Sequence, residues 1–121
     1  MLLHFSEMQI PKNGFPSHMC SLIPTECELM KLSKILIRND WQAVLYELGL
    51  HTANIDQCKH SHSLESMQCM SGLILWLRKN GKAASFKSLY IACENSDVDI
   101  EFLSNIIKLA EMHLNNESKN V

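Results

Sequence analysis

The chain has 121 residues, 46% hydrophobic and 20% charged, with a formal net charge of −2. This suits one ordinary globular domain with one modest core, and it makes non-specific nucleic-acid binding, which needs many Lys and Arg against phosphate, a poor first reading. Five cysteines with no CxxC pair, an N-terminus "MLLHFSEMQIPKNG" without a basic region, and no apolar run of spanning length exclude the patterns of a disulfide scaffold, a signal peptide and a membrane span, so a soluble cytoplasmic protein with reduced thiols is expected.

Residues 1–24 hold all three prolines, Pro11, Pro16 and Pro24, and the turn-forming Lys12-Asn13-Gly14. No apolar period survives there, which predicts an irregular arm; Leu2, Leu3, Phe5 and Phe15 could dock parts of it. Thr25 and Glu28 have the spacing of a capping box. Leu29, Leu32, Ile35 and Leu36 follow on one helical face, predicting a helix to about Arg38. In "NDWQAVLYELGL" Asn39 or Asp40 caps a second helix. Trp41, Val44, Leu45 and Leu48 form its stripe at i, i+3, i+4 and i+7, and Gly49 is its left-handed stop. Thr52 is expected to cap a short third helix over 53–58, with Ile55 inward, and the polar run 59–63 reads as a loop. Met67, Met70, Leu73, Ile74 and Leu77 predict a fourth helix that stops at Gly81. Phe86, Leu89, Tyr90 and Cys93 predict a fifth over 83–93. Ser96, Asp97 or Asp99 starts a sixth, striped by Ile100, Leu103, Ile107, Ala110 and Leu114. Residues 116–121 are polar and read as a fraying tail. No alternating β-branched run or strand hairpin is present. The expectation is an all-α, six-helix antiparallel bundle over 25–115, with a core of Trp41, Leu45, Leu48, Ile55, Leu73, Trp76, Leu77, Phe86, Leu89, Leu103 and Ile107.

Cys58, His60, His62 and Cys69 are residue types that zinc accepts. An HxH outside a strand, without paired two-plus-two spacing, reads more simply as a polar loop with two histidines. Cys69 and Cys93 fall inside apolar stripes, where burial rather than nucleophilic chemistry is expected. Gly14, Gly49, Gly72 and Gly81 are too scattered for a phosphate-binding loop. Among seven methionines, Met67 and Met70 read as gap fillers of a small core rather than a plastic groove. The chain therefore reads as no enzyme, with no catalytic residue, metal or cofactor. A small helical nucleic-acid- or zinc-binding domain is the alternative.

Charge is distributed less evenly. Arg78, Lys79, Lys82 and Lys87 gather around the turn between the fourth and fifth helices. Glu94, Asp97, Asp99 and Glu101 gather around the next turn, and Asp40, Glu47 and Asp56 add acid near the second and third helices. These clusters read either as solvated faces or as unlike patches on different faces, which suit head-to-tail contacts that build open assemblies.

"DWQAVLYELGL", an Ile five residues on, and "LILWLRKNGKAASFKSLYIAC" together resemble the death domain over roughly residues 26–114. Trp41, Leu45, Leu48, Leu50, Ile55, Trp76, Ala84 and Leu89 fill the positions of that pattern; Tyr46 departs from it, standing where an alanine is often found. The adaptor type is the closest in character, similar to the Fas-associated death-domain adaptor or the insect immune deficiency adaptor. The resemblance implies a death-fold bundle and homotypic association with receptor, adaptor or kinase death domains in apoptotic or innate immune signalling, including self-association into helical oligomers. It implies no nucleic acid and no membrane insertion. Gln42, Glu47, Asp56 and Lys59 are candidates for one partner-binding surface, and Arg78, Lys79 and Lys82 for another.

Overall fold

In a computed structural model of the chain, residues 22–99 are described, together with Glu101, Leu103, Asn105, Ile106, Lys108 and Met112. Every regular element among these residues is helical. The first helix, α1 (Glu26–Leu36), opens on the reciprocal cap. Glu28 Oε1 accepts the Thr25 N–H at 2.9 Å, and Thr25 Oγ1 accepts the Glu28 N–H at 3.4 Å, so two N-terminal donors are satisfied without water. The helix ends at Leu36 rather than Arg38. Before it, Pro24 is buried, Leu22 packs against the core and the Leu22 carbonyl accepts the Phe86 N–H at 2.9 Å. The rest of the expected arm, the tail and the core position Ile107 lie outside the described residues.

Helix α2 (Trp41–Glu47) is capped by Asp40, whose Oδ1 accepts the Ala43 N–H at 3.1 Å. Gly49 ends it with φ +96°. The Gly49 N–H bonds Tyr46 O and the Leu50 N–H bonds Leu45 O, the paired bonds of a Schellman motif. Helix α3 (Thr52–Ser61) differs from expectation at both ends. Its N-cap is His51, whose N–H is taken by Asn54 Oδ1 at 3.0 Å, and Thr52 is already helical. The polar residues 59–61 continue the helix, because side chains satisfy its last carbonyls. His60 Nδ1 bonds Asp56 O at 2.7 Å, Ser61 Oγ bonds Cys58 O at 2.8 Å, and Gln68 Nε2 reaches Lys59 O at 3.1 Å and His62 O at 2.8 Å. Polarity marks exposure here, not a loop.

Helix α4 (Glu65–Asn80) is the axis of the bundle. α1 and α3 make their most extensive contacts with it, and α2 packs on it and on α5. At Gly72 the Leu45 side chain of α2 packs so closely on α4 that an added Cβ would collide with Leu45 Cδ1. A single 3₁₀ turn (Gly81–Ala83) separates α4 from α5 (Phe86–Asn95). The fifth helix therefore begins at Phe86, three residues later than the expected 83, because Ser85 caps it: Ser85 Oγ accepts the Ser88 N–H at 3.3 Å. Helical backbone recurs at Glu101, Leu103, Asn105, Ile106, Lys108 and Met112, and Asp99 Oδ1 accepts the Glu101 N–H at 3.0 Å.

One buried cluster joins the five α-helices and contains both tryptophans, each 2% exposed. Leu45, Ile55, Leu73, Phe86, Leu89 and Leu103 are buried in it; Leu48 and Leu77, expected in the core, are only partly buried and pack on its edge. Both lie at the margin of their stripes, one residue from the exposed Glu47 and Arg78. The indole of Trp41 has a polar outlet: its Nε1–H donates to Glu65 Oε2 at 2.9 Å, tying the start of α2 to the first turn of α4. An aromatic can follow an acidic cap here because its ring fills the core while its N–H finds a carboxylate at the rim.

Candidate interaction surface

The basic turn is built on the end of α4. Arg78 and Lys79 occupy its last turn, Lys82 the 3₁₀ turn, and all three are exposed. Cations are favoured there because a helix C-terminus carries partial negative charge. Asn80 Nδ2 donates to Trp76 O at 2.8 Å and the Gly81 N–H to Leu77 O, which uses up terminal carbonyls and leaves the three cations facing outward. Lys87, in the first turn of α5, is half-buried.

α5 connects this turn to the acidic one. Its ten residues rise about 15 Å at 1.5 Å per residue, so the two charge clusters sit at opposite ends of one helix. At the far end, Glu94 lies in the last turn and Asp97 just beyond, both exposed, with no basic residue in that turn. Packing of α2 on α5 adds a third carboxylate: Asn95 Nδ2 donates to Glu47 Oε2 at 3.4 Å. Glu47 itself closes α2, whose last turn also lacks a basic residue. Three exposed acids thus surround two negative helix ends, an arrangement that local helix electrostatics disfavours. Asp97 also holds φ +58°, a left-handed conformation that non-glycine residues seldom adopt.

The remaining expected surface residues are spread out. Gln42 is half-buried in the first turn of α2; Asp56 and Lys59 are exposed on α3. The structure groups Glu47 with Asn95 across 48 residues of sequence.

The expected loop thiol and imidazoles do not converge. Cys58 is buried while His60 and His62 are exposed, and among the described residues no group of three His, Cys, Asp or Glu side chains is placed to hold a metal ion. Burial pushes the Cys69 thiol up to about 12, with smaller contributions from Cys93, Glu65 and Cys58, and burial does the same to Cys93. A thiol with so high a pKa is a poor nucleophile at neutral pH.

A groove of about 430 Å³ between α3 and α4 went unread in the sequence. Cys58, Met67, Met70, Ile74, Leu75 and Arg78 are among the residues that line it. Met67 was read as a core filler, but it is only half-buried and faces this opening.

A family model described as Death domain matches residues 26–106, about two thirds of the chain and nearly all of the helices above. The chain belongs to the death domain family. Membership implies protein–protein interaction by homotypic association with other death-fold proteins, and death domains are in general interaction modules rather than enzymes. Of the residues that carry the death-domain pattern, Trp41, Leu45, Leu50, Ile55, Trp76, Ala84 and Leu89 are buried and Leu48 is half-buried. The departure, Tyr46, is 46% exposed. It therefore alters the surface of this death domain and leaves its core intact. No helix among the described residues is long and apolar enough to cross a membrane.

Proposed function

We propose that the chain is an adaptor-type death domain that works in the cytoplasm, in apoptotic or innate immune signal transduction. It joins receptor, adaptor or kinase death domains, and copies of itself, through unlike charged surfaces. Arg78, Lys79 and Lys82 form one surface. Glu47, extended by Glu94 and Asp97, forms the other, and Gln42, Asp56 and Lys59 are further candidate contacts outside this cluster. The observation that carries this reading is the placement of three exposed acids at two helix C-termini. The basic turn has a local reason to exist, since cations stabilise the end of α4. The acidic cluster has the opposite local effect, and a basic surface on a partner supplies the missing compensation. The 15 Å span of α5 between the clusters suits a head-to-tail contact, which propagates rather than closes.

The test is Arg78→Glu with Lys82→Glu in a chain whose helicity and melting temperature are checked first. Self-association by light scattering, and capture by a death-domain partner, are compared at low and high salt, because exposed charges are screened. Association is expected to fall in the double variant and to return when it is mixed with a Glu47→Lys, Glu94→Lys chain. A folded double variant that associates as well as the parent at both salts would overturn the assignment of the basic turn.

A further inference from the structure

Among the described residues Trp41, Trp76, Phe86 and Tyr90 are buried, and Tyr46 is the one aromatic side chain left exposed, at 46%. Core packing explains the buried rings and gives no reason for the open one. Its pose is nevertheless fixed. The Tyr46 hydroxyl donates to Thr52 Oγ1 at 3.3 Å, across the turn from the end of α2 to the start of α3, and the Gly49 N–H bonds Tyr46 O at 2.9 Å in the same turn. A ring with two side-chain torsions, already held at its tip, loses little freedom when a partner covers it.

The ring also stands beside a carboxylate. Glu47 is its neighbour in the last turn of α2, and Glu47 Oε2 accepts from Asn95 Nδ2. Among the described residues nothing bonds Glu47 Oε1, which keeps its acceptor capacity for a partner. An exposed aromatic face next to an open carboxylate oxygen suits a planar cation. The negative face of the ring takes the flat of a guanidinium, and the carboxylate takes its N–H. A lysine ammonium is more strongly hydrated and has no flat face, so it satisfies the carboxylate and gains little from the ring. The chain supplies such a cation. Of its 11 Lys and Arg, only Arg38 and Arg78 are arginines. Arg38 precedes α2, at the end of that helix remote from Tyr46, whereas Arg78 is exposed in the basic turn.

We propose that Tyr46 and Glu47 of one copy receive the Arg78 guanidinium of a second copy, so that the acidic surface selects arginine over lysine. This rests on the head-to-tail reading above and adds the side chain that gives the contact its specificity, since charge alone does not distinguish Arg78 from Lys79 or Lys82. The experiment follows self-association of the full chain by light scattering over a dilution series, with helicity and melting temperature checked for each variant. Arg78→Lys keeps the charge and removes only the planar fork. It is expected to weaken association about threefold, as is Tyr46→Ala. The two together should weaken it by about the same threefold, because each removes the same contact. Tyr46→Phe, which keeps the ring, should weaken association less than Tyr46→Ala, and Arg38→Lys should change nothing. An Arg78→Lys chain that associates as well as the parent, while Arg78→Glu with Lys82→Glu still lowers association, would overturn this pairing and leave the charged surfaces standing. Losses that multiply to about ninefold in the double variant would overturn it as well, since Tyr46 and Arg78 then act at separate contacts. A parent chain that stays monomeric at every concentration, or a charge-reversed chain that associates like the parent, would overturn the head-to-tail reading and this pairing with it.

Discussion

Asp97 is the position where structure and local energetics disagree most openly, and its replacement by glycine should stabilise the fold. α5 ends as α2 does. The Asp97 N–H bonds Glu94 O at 3.2 Å and the Val98 N–H bonds Cys93 O at 2.9 Å, the same pair of bonds that Gly49 and Leu50 make at the end of α2. The left-handed residue is glycine in one motif and aspartate, at φ +58°, in the other. A left-handed L-residue costs about 1–2 kcal/mol, at the low end for Asp, and a negative charge at a helix C-terminus costs about 0.3–1 kcal/mol. Glycine's extra freedom in the unfolded chain returns about 0.5–1 kcal/mol of the gain. The net is a stabilisation of about 1 kcal/mol for Asp97→Gly, a rise of about 4–8 °C in melting temperature for a domain of this size. Asp97→Asn keeps the left-handed tolerance and removes only the charge, so it should yield the smaller part. Urea unfolding with an unchanged slope reads both. If Asp97→Gly leaves the midpoint unchanged or lowers it, the strain argument is wrong. If the acidic surface binds as proposed, both variants should also associate less well, a gain of stability at the expense of function.

Gly72→Ala should destabilise: the gain in helix propensity, about 1 kcal/mol, is outweighed by about 1–3 kcal/mol of overpacking against the fully buried Leu45, and a thermal melt above that of the parent would contradict this. Trp41→Ala should cost about 3–5 kcal/mol. Glu65→Gln, which preserves an acceptor for the indole N–H, should cost far less; equal losses in denaturant titrations would mean that the carboxylate charge, not the ring, holds α2 to α4. Cys69 and Cys93 are held neutral in the fold and ionise more readily once unfolded. Their contribution is therefore complete below the ordinary thiol value of 9.0 and is lost as pH rises toward about 12, at about 1.4 kcal/mol per pH unit for each thiol. A Cys69→Ala, Cys93→Ala chain should lose stability less steeply between pH 9 and 11 than the parent, and parallel curves would refute the linkage. In the native state at pH 8, the exposed Cys27 should react with a thiol reagent well before either buried cysteine.

Elements whose cap and stripe agree were legible from the chain alone. Thr25 with Glu28, and Asp40 with Gly49, each specify a helix end by local hydrogen bonds, and the stripes between them repeat at helical spacing. Where the sequence misled, a side chain made a bond that spacing does not reveal. Residues 59–61 look like a loop by composition, yet Gln68, on the next helix, takes the carbonyls of Lys59 and His62. Ala83 and Ala84 look helical by propensity, yet Ser85 takes the cap and the apolar stripe starts only at Phe86. Leu48 and Leu77 lie at stripe margins, where a small rotation of the helix decides burial.

The candidate surface was legible on its basic side for a similar reason. Arg78, Lys79 and Lys82 lie within five residues of one another and share a helix end, so sequence proximity is spatial proximity. The acidic side is different, because Glu47 meets the end of α5, through Asn95, only when α2 packs on α5. No periodicity in the chain encodes that meeting; it follows from the two aligned helix ends and from Asn95 reaching across. The consequence is specific. Asn95→Ala should leave each helix intact, since Asn95 is exposed and its side chain bonds only Glu47 among the described partners. It should free the Glu47 carboxylate from the α5 end. If the acidic surface acts as one unit, that loss of alignment should weaken association with the basic turn while the melting temperature stays within about 1 °C of the parent, as expected for a surface substitution away from core and caps. If association is unchanged in Asn95→Ala but falls in Glu94→Lys, then Glu94 and Asp97 act without Glu47 and the surface is confined to the end of α5.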